Sequence, residues 1–145
     1  MRISAKGRYG LAAMTYLARN HSAGATVTII RISEELGISK IYLEQVFSLL
    51  KRAQLVRSLK GSQGGYQLSR RPGEITAYDI LSAIELSLME RTEKAAEKMP
   101  VLDNVLAARV YQPLNQAIQD ALSAVSLEDL LAAIDDENAA YMYFI

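Results

Sequence analysis

No cysteine occurs among the 145 residues. That excludes disulfides, thiolate metal sites, iron–sulfur ligation by thiolates and thiol-based redox sensing in this chain. Histidine is nearly absent too: His21 alone leaves no zinc set and no histidine-based triad. No apolar run approaches the roughly 20 residues that span a bilayer. Met1-Arg2-Ile3-Ser4 leads straight into a helical pattern rather than a secretory signal, so the cytoplasm is the expected compartment. What is present is apolar material amounting to 50% of the chain, enough for one domain with a core of ordinary size.

Net charge is also lacking, but only in the sum. Residues 1–72 hold 12 Lys/Arg against 3 Asp/Glu, a net of +9, and residues 73–145 hold 4 against 13, a net of −9. A block this basic is the electrostatic footprint expected of a protein that meets a polyanion, and the acidic half should keep clear of it.

Within the basic half, Leu11, Met14, Leu17 and Ala18 recur at steps of three and four, which predicts an amphipathic helix over residues 8–21. The small, polar stretch 20–26 ends it, with His21 at the helix end or in the loop. Residues 28–53 carry the pattern of two crossed helices. Gly37 suits a turn that needs positive φ, and Ile32, Leu36, Ile38, Leu43 and Val46 are apolar where the helices must interdigitate. Small Ser33 suits the closest approach, and Ser39 suits the N-cap of the second helix. Phe47 and Leu50 extend that helix's buried stripe, while Lys40, Tyr42, Glu44, Gln45, Ser48, Lys51 and Arg52 form its other face. A helical hairpin in any α-helical domain could show this pattern. Its place in the basic block favours a DNA-binding helix-turn-helix, whose second helix enters the major groove. On that reading Gln45 and Glu44 reach base edges, since Gln suits adenine and Glu accepts from cytosine N4. Lys51 and Arg52 then fall to phosphates.

Two alternating segments follow, Leu55-Val56-Arg57-Ser58-Leu59-Lys60 and Tyr66-Gln67-Leu68-Ser69, joined by Gly61-Ser62-Gln63-Gly64-Gly65. A phosphate-cradling loop would need a following helix and a Lys-Ser/Thr pair, which are missing. A short basic hairpin directly after a helix-turn-helix is a wing, with Lys60 at its shoulder and Arg70-Arg71 at its base facing the DNA backbone or minor groove.

Three stretches in order, Ile3-Ser4-Ala5-Lys6-Gly7-Arg8-Tyr9-Gly10-Leu11, Tyr42-Leu43-Glu44-Gln45 and Lys60-Gly61-Ser62-Gln63-Gly64-Gly65-Tyr66, resemble the signatures of the Rrf2 family of bacterial winged-helix regulators. The resemblance spans essentially the whole chain. It implies a homodimer on a partly palindromic double-stranded operator. It also implies DNA contacts from a turn formed by Lys6, Arg8 and Tyr9, from Ser39, Tyr42, Glu44 and Gln45, and from Lys60 with the wing glycines Gly61, Gly64 and Gly65. Lys60 stands where many relatives have Arg, a change that removes bidentate geometry. The cluster-binding branch carries three cysteines between the winged domain and the dimer helix; residues 90–104 here have none, so an iron–sulfur sensor is excluded on chemical grounds.

In the acidic half, Thr76-Ala77-Tyr78-Asp79 reads as a capping box for a helix buried through Ile80, Leu81 and Ile84. Residues 90–99 read as a linker or loop. Pro100 opens a long helix in which Ala107, Tyr111, Leu114, Ile118, Ala121 and Val125 form a coiled-coil-like seam for a dimer, and Pro113 should kink it or open it locally. A short final helix begins at Ser126, with Leu127, Leu130, Leu131 and Ile134 as its apolar face. The expected fold is therefore mainly α. A winged helix-turn-helix with a two-stranded wing occupies residues 1–86, a linker residues 87–99, and a dimerisation helix with a short C-terminal helix residues 100–145, all packed as one unit.

The chain closes on Ala139-Ala140-Tyr141-Met142-Tyr143-Phe144-Ile145, an apolar ending that must pack somewhere, either on its own core or dimer, or on a partner. It resembles the ending of the family's cysteine-metabolism repressors. That resemblance implies cysteine synthase as partner, with Ile145, supported by Tyr143 and Phe144, inserting into the enzyme's active site as a compact carboxylate anchor. The expectation is thus a repressor with no cofactor, no metal and no membrane association. An enzyme is disfavoured because no nucleophile–base pair or cofactor fingerprint appears. The remaining alternatives are a repressor answering to a small ligand held in the acidic half, and a protein-interaction module without specific DNA binding.

Overall fold

The structure, a computed structural model, describes residues 3–22, 24–62, 64–88 and 90–143. Helix α1 spans Ala5–Arg19 and begins three residues before its apolar periodicity does. Ser4 is its N-cap: the Ser4 hydroxyl accepts from the Gly7 amide at 3.1 Å, and the Ser4 amide donates to Glu85 Oε1 at 2.7 Å. Two glycines disguise this start, since glycine is a poor helix former. Both lie under close neighbours: a Cβ on Gly7 would displace the Glu85 carboxylate, and one on Gly10 the end of the Ile84 side chain.

Helices α2 (Ile29–Leu36) and α3 (Lys40–Arg52) form the helix-turn-helix. Gly37 sits between them at φ 67°, ψ 31°, the left-handed region that the sequence called for. Ser33 donates its hydroxyl to the Ile38 carbonyl at 2.6 Å and ties the turn shut. Ser39 occupies the N-cap of α3 as expected but makes no side-chain cap bond. Leu43, Val46, Phe47 and Leu50 are fully buried against Met14, Leu17 and Ile32. Each such side chain contributes about 1.5–3 kcal/mol of transfer free energy.

At the end of α3 the chain reverses through Gln54, at φ 62°, while the amides of Gln54 and Leu55 bond to the carbonyls of Lys51 and Leu50. This is a Schellman closure with a non-glycine residue in the left-handed position. The wing is shorter than the alternation suggested: β1 (Val56–Leu59) pairs antiparallel with β2 (Gly65–Leu68), with Val56 opposite Leu68 and Leu59 opposite Gly65. Val27 adds a one-residue third strand, exchanging both backbone hydrogen bonds with Tyr66 at 3.0 and 2.8 Å. The Tyr66 ring lies 4.6 Å from that of Phe47 and clamps the wing onto α3.

Helix α4 (Ala77–Ile84) opens on the expected capping box, Thr76 and Asp79 exchanging bonds of 3.1 and 2.9 Å. Among the described residues between α4 and α5 no helix or strand forms, and the buried Asp103 carboxylate holds this segment by accepting from the Ala95 and Ala96 amides, both at 3.0 Å. The long helix comprises α5 (Pro100–Leu106), a π-helical turn over Ala107–Tyr111 and α6 (Gln112–Ser123). The widened turn is separated from Pro113 by one residue, so of the kink or local opening expected at the proline the helix takes the local opening, as a π turn.

The final helix is not short. Helix α7 runs over Leu127–Tyr143, 17 residues, from a reciprocal cap between Ser126 and Asp129. Its first residue, Leu127, is fully buried in the core of the winged half, and its amide bonds to the Ile75 carbonyl at 2.9 Å. The last turn does not pack on the chain's own core: Tyr141, Met142 and Tyr143 are 70%, 74% and 86% exposed. Phe144 and Ile145 lie outside the described residues.

The expected seam divides. Ile118 faces the winged half, lining a hollow of about 240 Å³ with Ile3, Leu81, Glu85 and Leu122. Val125 turns toward α1, and Tyr111 is half-buried, whereas Leu114 and Ala121 are exposed. Outward lies a different apolar row, Val101, Val105, Val110, Leu114, Ala117 and Ala121, whose one step of five residues crosses the π turn.

Candidate nucleic-acid interface

Lys6, Arg8 and Tyr9 lie on the first two turns of α1, not in a separate turn as the resemblance implied. Because α1 packs across α3, Lys6 meets the exposed face of α3: Lys6, Ile41, Glu44, Gln45, Ser48 and Leu49 line one open concavity of about 450 Å³. The Tyr9 and Tyr42 rings meet edge to face, with centroids 5.6 Å apart and planes at 67°. Such a pair adds about 0.5–1.5 kcal/mol and fixes Tyr42 at the start of α3.

All of Ser39, Lys40, Tyr42, Glu44, Gln45, Ser48, Lys51 and Arg52 are exposed, as the sequence pattern required. Glu44 is paired with Lys40 at 3.7 Å in an exposed i,i+4 arrangement. Such surface pairs are weak, so the pair holds the Lys40 ammonium only loosely. Lys51 and Arg52 have no ion-pair partner among the described residues and sit in the last turn of α3.

In the wing, Lys60 is exposed directly after β1. Its glycines have backbone reasons of their own. Gly61 adopts φ 106°, and a Cβ on Gly64 would approach the Leu59 carbonyl oxygen at 2.8 Å. Gly65, at φ 145°, leaves room for the Val27 carbonyl. The two arginines at the wing base are engaged within the chain: Arg70 lies 3.8 Å from Asp79 and Arg71 3.0 Å from Glu74. The Arg71 hydrogen bond holds the Glu74 carboxyl below its ordinary pKa.

Two exposed side chains escaped the sequence reading. Arg57 projects outward from β1, opposite Gln67, a position that the strand alternation alone would have found. Ile41, on α3, is 68% exposed although apolar, off the stripe of Leu43, Val46, Phe47 and Leu50. His21 is exposed after α1, close to Arg71 and Glu128, and joins none of these groups.

A model of the family described as "Rrf2: Iron-dependent Transcriptional regulator" matches residues 3–133. The chain is similar to the HTH-type transcriptional regulator CymR of Bacillus subtilis strain 168, 36% identical over 150 residues that cover 100% of both chains. It is similar to the HTH-type transcriptional regulator IscR of Xenorhabdus nematophila, 37% identical over 131 residues, 90% of this chain and 79% of the relative. Among solved structures it resembles that of CymR, the global cysteine regulator of B. subtilis, with a TM-score of 0.75 and 32% identity, covering 92% of this chain and 98% of the other. The iron in the family's description finds no fitting donors here: the chain has no cysteine and one histidine, and no cluster of three His, Asp or Glu stands ready for a metal among the described residues.

Proposed function

The chain belongs to the Rrf2 family of transcriptional regulators, and from that premise we propose that it is a homodimeric repressor binding partly palindromic operators of cysteine and sulfur metabolism genes. The observation that carries DNA recognition is the shared concavity of Lys6, Glu44 and Gln45 on the exposed face of α3, with Tyr42 held beside it by Tyr9. In this reading Gln45 and Glu44 read base edges. Ser39, Lys40, Tyr42, Arg8, Lys51 and Lys60 set the register on the backbone, and Gly61, Gly64 and Gly65 let the wing turn tightly enough to approach it. The cysteine assignment rests on full-length similarity to CymR.

Residues 1–86 act as the reading head and residues 100–145 as the dimer module. The exposed row through Leu114 and Ala121 supports dimerisation, with Tyr111 at its edge and Ile118 and Val125 bracing the helix on its own chain. The link to cysteine synthase is supported by the apolar ending of the chain, whose last described residues, Tyr141, Met142 and Tyr143, are exposed at the end of α7. A second reading, control by a small ligand, is supported by an apolar cavity of about 490 Å³ between α1 and α7, lined by Leu11, Tyr16, Arg19, Val125 and Ile134.

The test of DNA recognition is Gln45→Ala, with affinity measured by fluorescence anisotropy on a selected operator and on random duplex. The expected loss is about 1–3 kcal/mol on the operator and almost none on random DNA. An equal loss on both makes Gln45 a positioning residue. The partner is tested by calorimetry of the same organism's cysteine synthase with peptides 136–145 and 136–144; binding that needs Ile145 supports the link, and absence of binding by both removes it.

A further inference from the structure

Ile41 is the second residue of α3 and, among the described residues, the most exposed large apolar side chain between residues 3 and 85. The helix has no packing need for it there: Leu43, Val46, Phe47 and Leu50 supply the buried stripe, each at 0% exposure. A β-branched side chain in water on a helix surface gains nothing in helix propensity either. Its position is specific in another respect. Glu44 and Gln45 follow it at i+3 and i+4, so the three side chains are neighbours on one face, and all three line the concavity that also holds Lys6. An apolar group presented among base-reading groups in a major groove meets one apolar feature there, the C5-methyl of thymine.

We infer that Ile41 is a specificity-determining residue that reads a thymine in each half-site through its C5-methyl group. One helical turn separates Ile41 from Gln45, about 5.4–6 Å of rise, against about 3.4 Å per base step. The thymine therefore lies one or two steps from the base pair that Gln45 reads. The assignment rests on the proposed reading of α3 and adds a hydrophobic element to it, so an operator half-site is matched partly by the exclusion of water from a methyl group.

The test uses the full chain and an operator selected from a random pool. Each thymine of one half-site is replaced in turn by uracil, which lacks only that methyl, and affinity is measured for the wild type and for Ile41→Ser. Burial of one methyl is worth about 0.8 kcal/mol, so uracil at one position should weaken wild-type binding about fourfold. Ile41→Ser should bind thymine and uracil there equally, with an unchanged thermal midpoint because the side chain is exposed. Tolerance of uracil at every position by the wild type, or an equal loss in both proteins at the same position, overturns the inference. Gln45→Ala distinguishes the two levels: if it still loses operator selectivity, only the role of Ile41 has failed, and if it does not, the reading of α3 has failed with it.

Discussion

The two halves of the molecule treat their apolar residues in opposite ways. Between residues 13 and 84 the large aliphatic side chains are mostly buried in a single core, whereas among the described residues beyond 98 only Leu127 of the apolar side chains is fully buried. Met99, Val101, Val105, Val110 and Leu114 stand 49–68% exposed along α5 and α6. The core of the winged half, closed by Ile75, Ile80, Ile84 and Leu127, is thus filled within one chain, while the acidic half presents a long apolar row of the kind that marks an interaction surface. Charge divides nearby, at residue 72, which leaves Glu44 as the carboxylate on the α3 face proposed for DNA and gathers 13 of the 16 acidic residues in the other half.

The largest expected effect tests where one half stops. Leu127→Ala should destabilise the whole chain by about 2–5 kcal/mol, read as a single shifted unfolding transition. Two separate transitions would mean that the halves fold independently. Leu114→Asp tests the exposed row: if the row joins two copies, the dimer dissociation constant should rise about a hundredfold, roughly 2.7 kcal/mol. Light scattering should then report half the mass with unchanged helicity, and an unaltered mass would leave the row without that role. Arg57→Ala sharpens the claim on the basic half, because losing one phosphate contact should lower the slope of log K against log salt by about 0.9; an unchanged slope would place Arg57 away from DNA. The smallest effect is a gain. Gln54→Gly should stabilise by about 0.5–1 kcal/mol by relieving a left-handed non-glycine residue at the end of α3. A loss of stability would show that the Gln54 side chain matters more than its backbone strain.

Elements with strong local chemistry were legible in the sequence. Gly37 announced the turn, Thr76 and Asp79 the start of α4, and the glycine-rich run 61–65 the wing. What escaped depended on tertiary contact or on the length of a helix. The start of α1 was hidden because Gly7 and Gly10 weaken the helical pattern there, while the neighbours that pack on them, Glu85 and Ile84, come from far along the chain. The length of α7 was missed because residues 135–143 lack a core-facing stripe, and they are exposed. The dimer seam was drawn at a constant period, and the π turn shifts that period by one residue at Ala107–Tyr111, so the outward row runs through Val110 rather than Tyr111. The candidate DNA face on α3 was legible because exposure there follows helix periodicity; the same periodicity exposes Ile41, but its apolar residue type kept it from being counted with the polar face.

The hydrogen bond from the Ser4 amide to Glu85 bears on how this protein is dissected. The residue that opens the first helix is held by the residue that closes the fourth. A minimal fragment trimmed at residue 84 would retain every basic side chain of the proposed DNA surface, yet lose the carboxylate that seats the helix bearing Lys6, Arg8 and Tyr9. Extending it to residue 86 restores that carboxylate but still omits Leu127, which fills the same core. The reading head is contiguous along the chain in its charge and discontinuous in its support, so a useful fragment has to be chosen from the contacts, not from the composition.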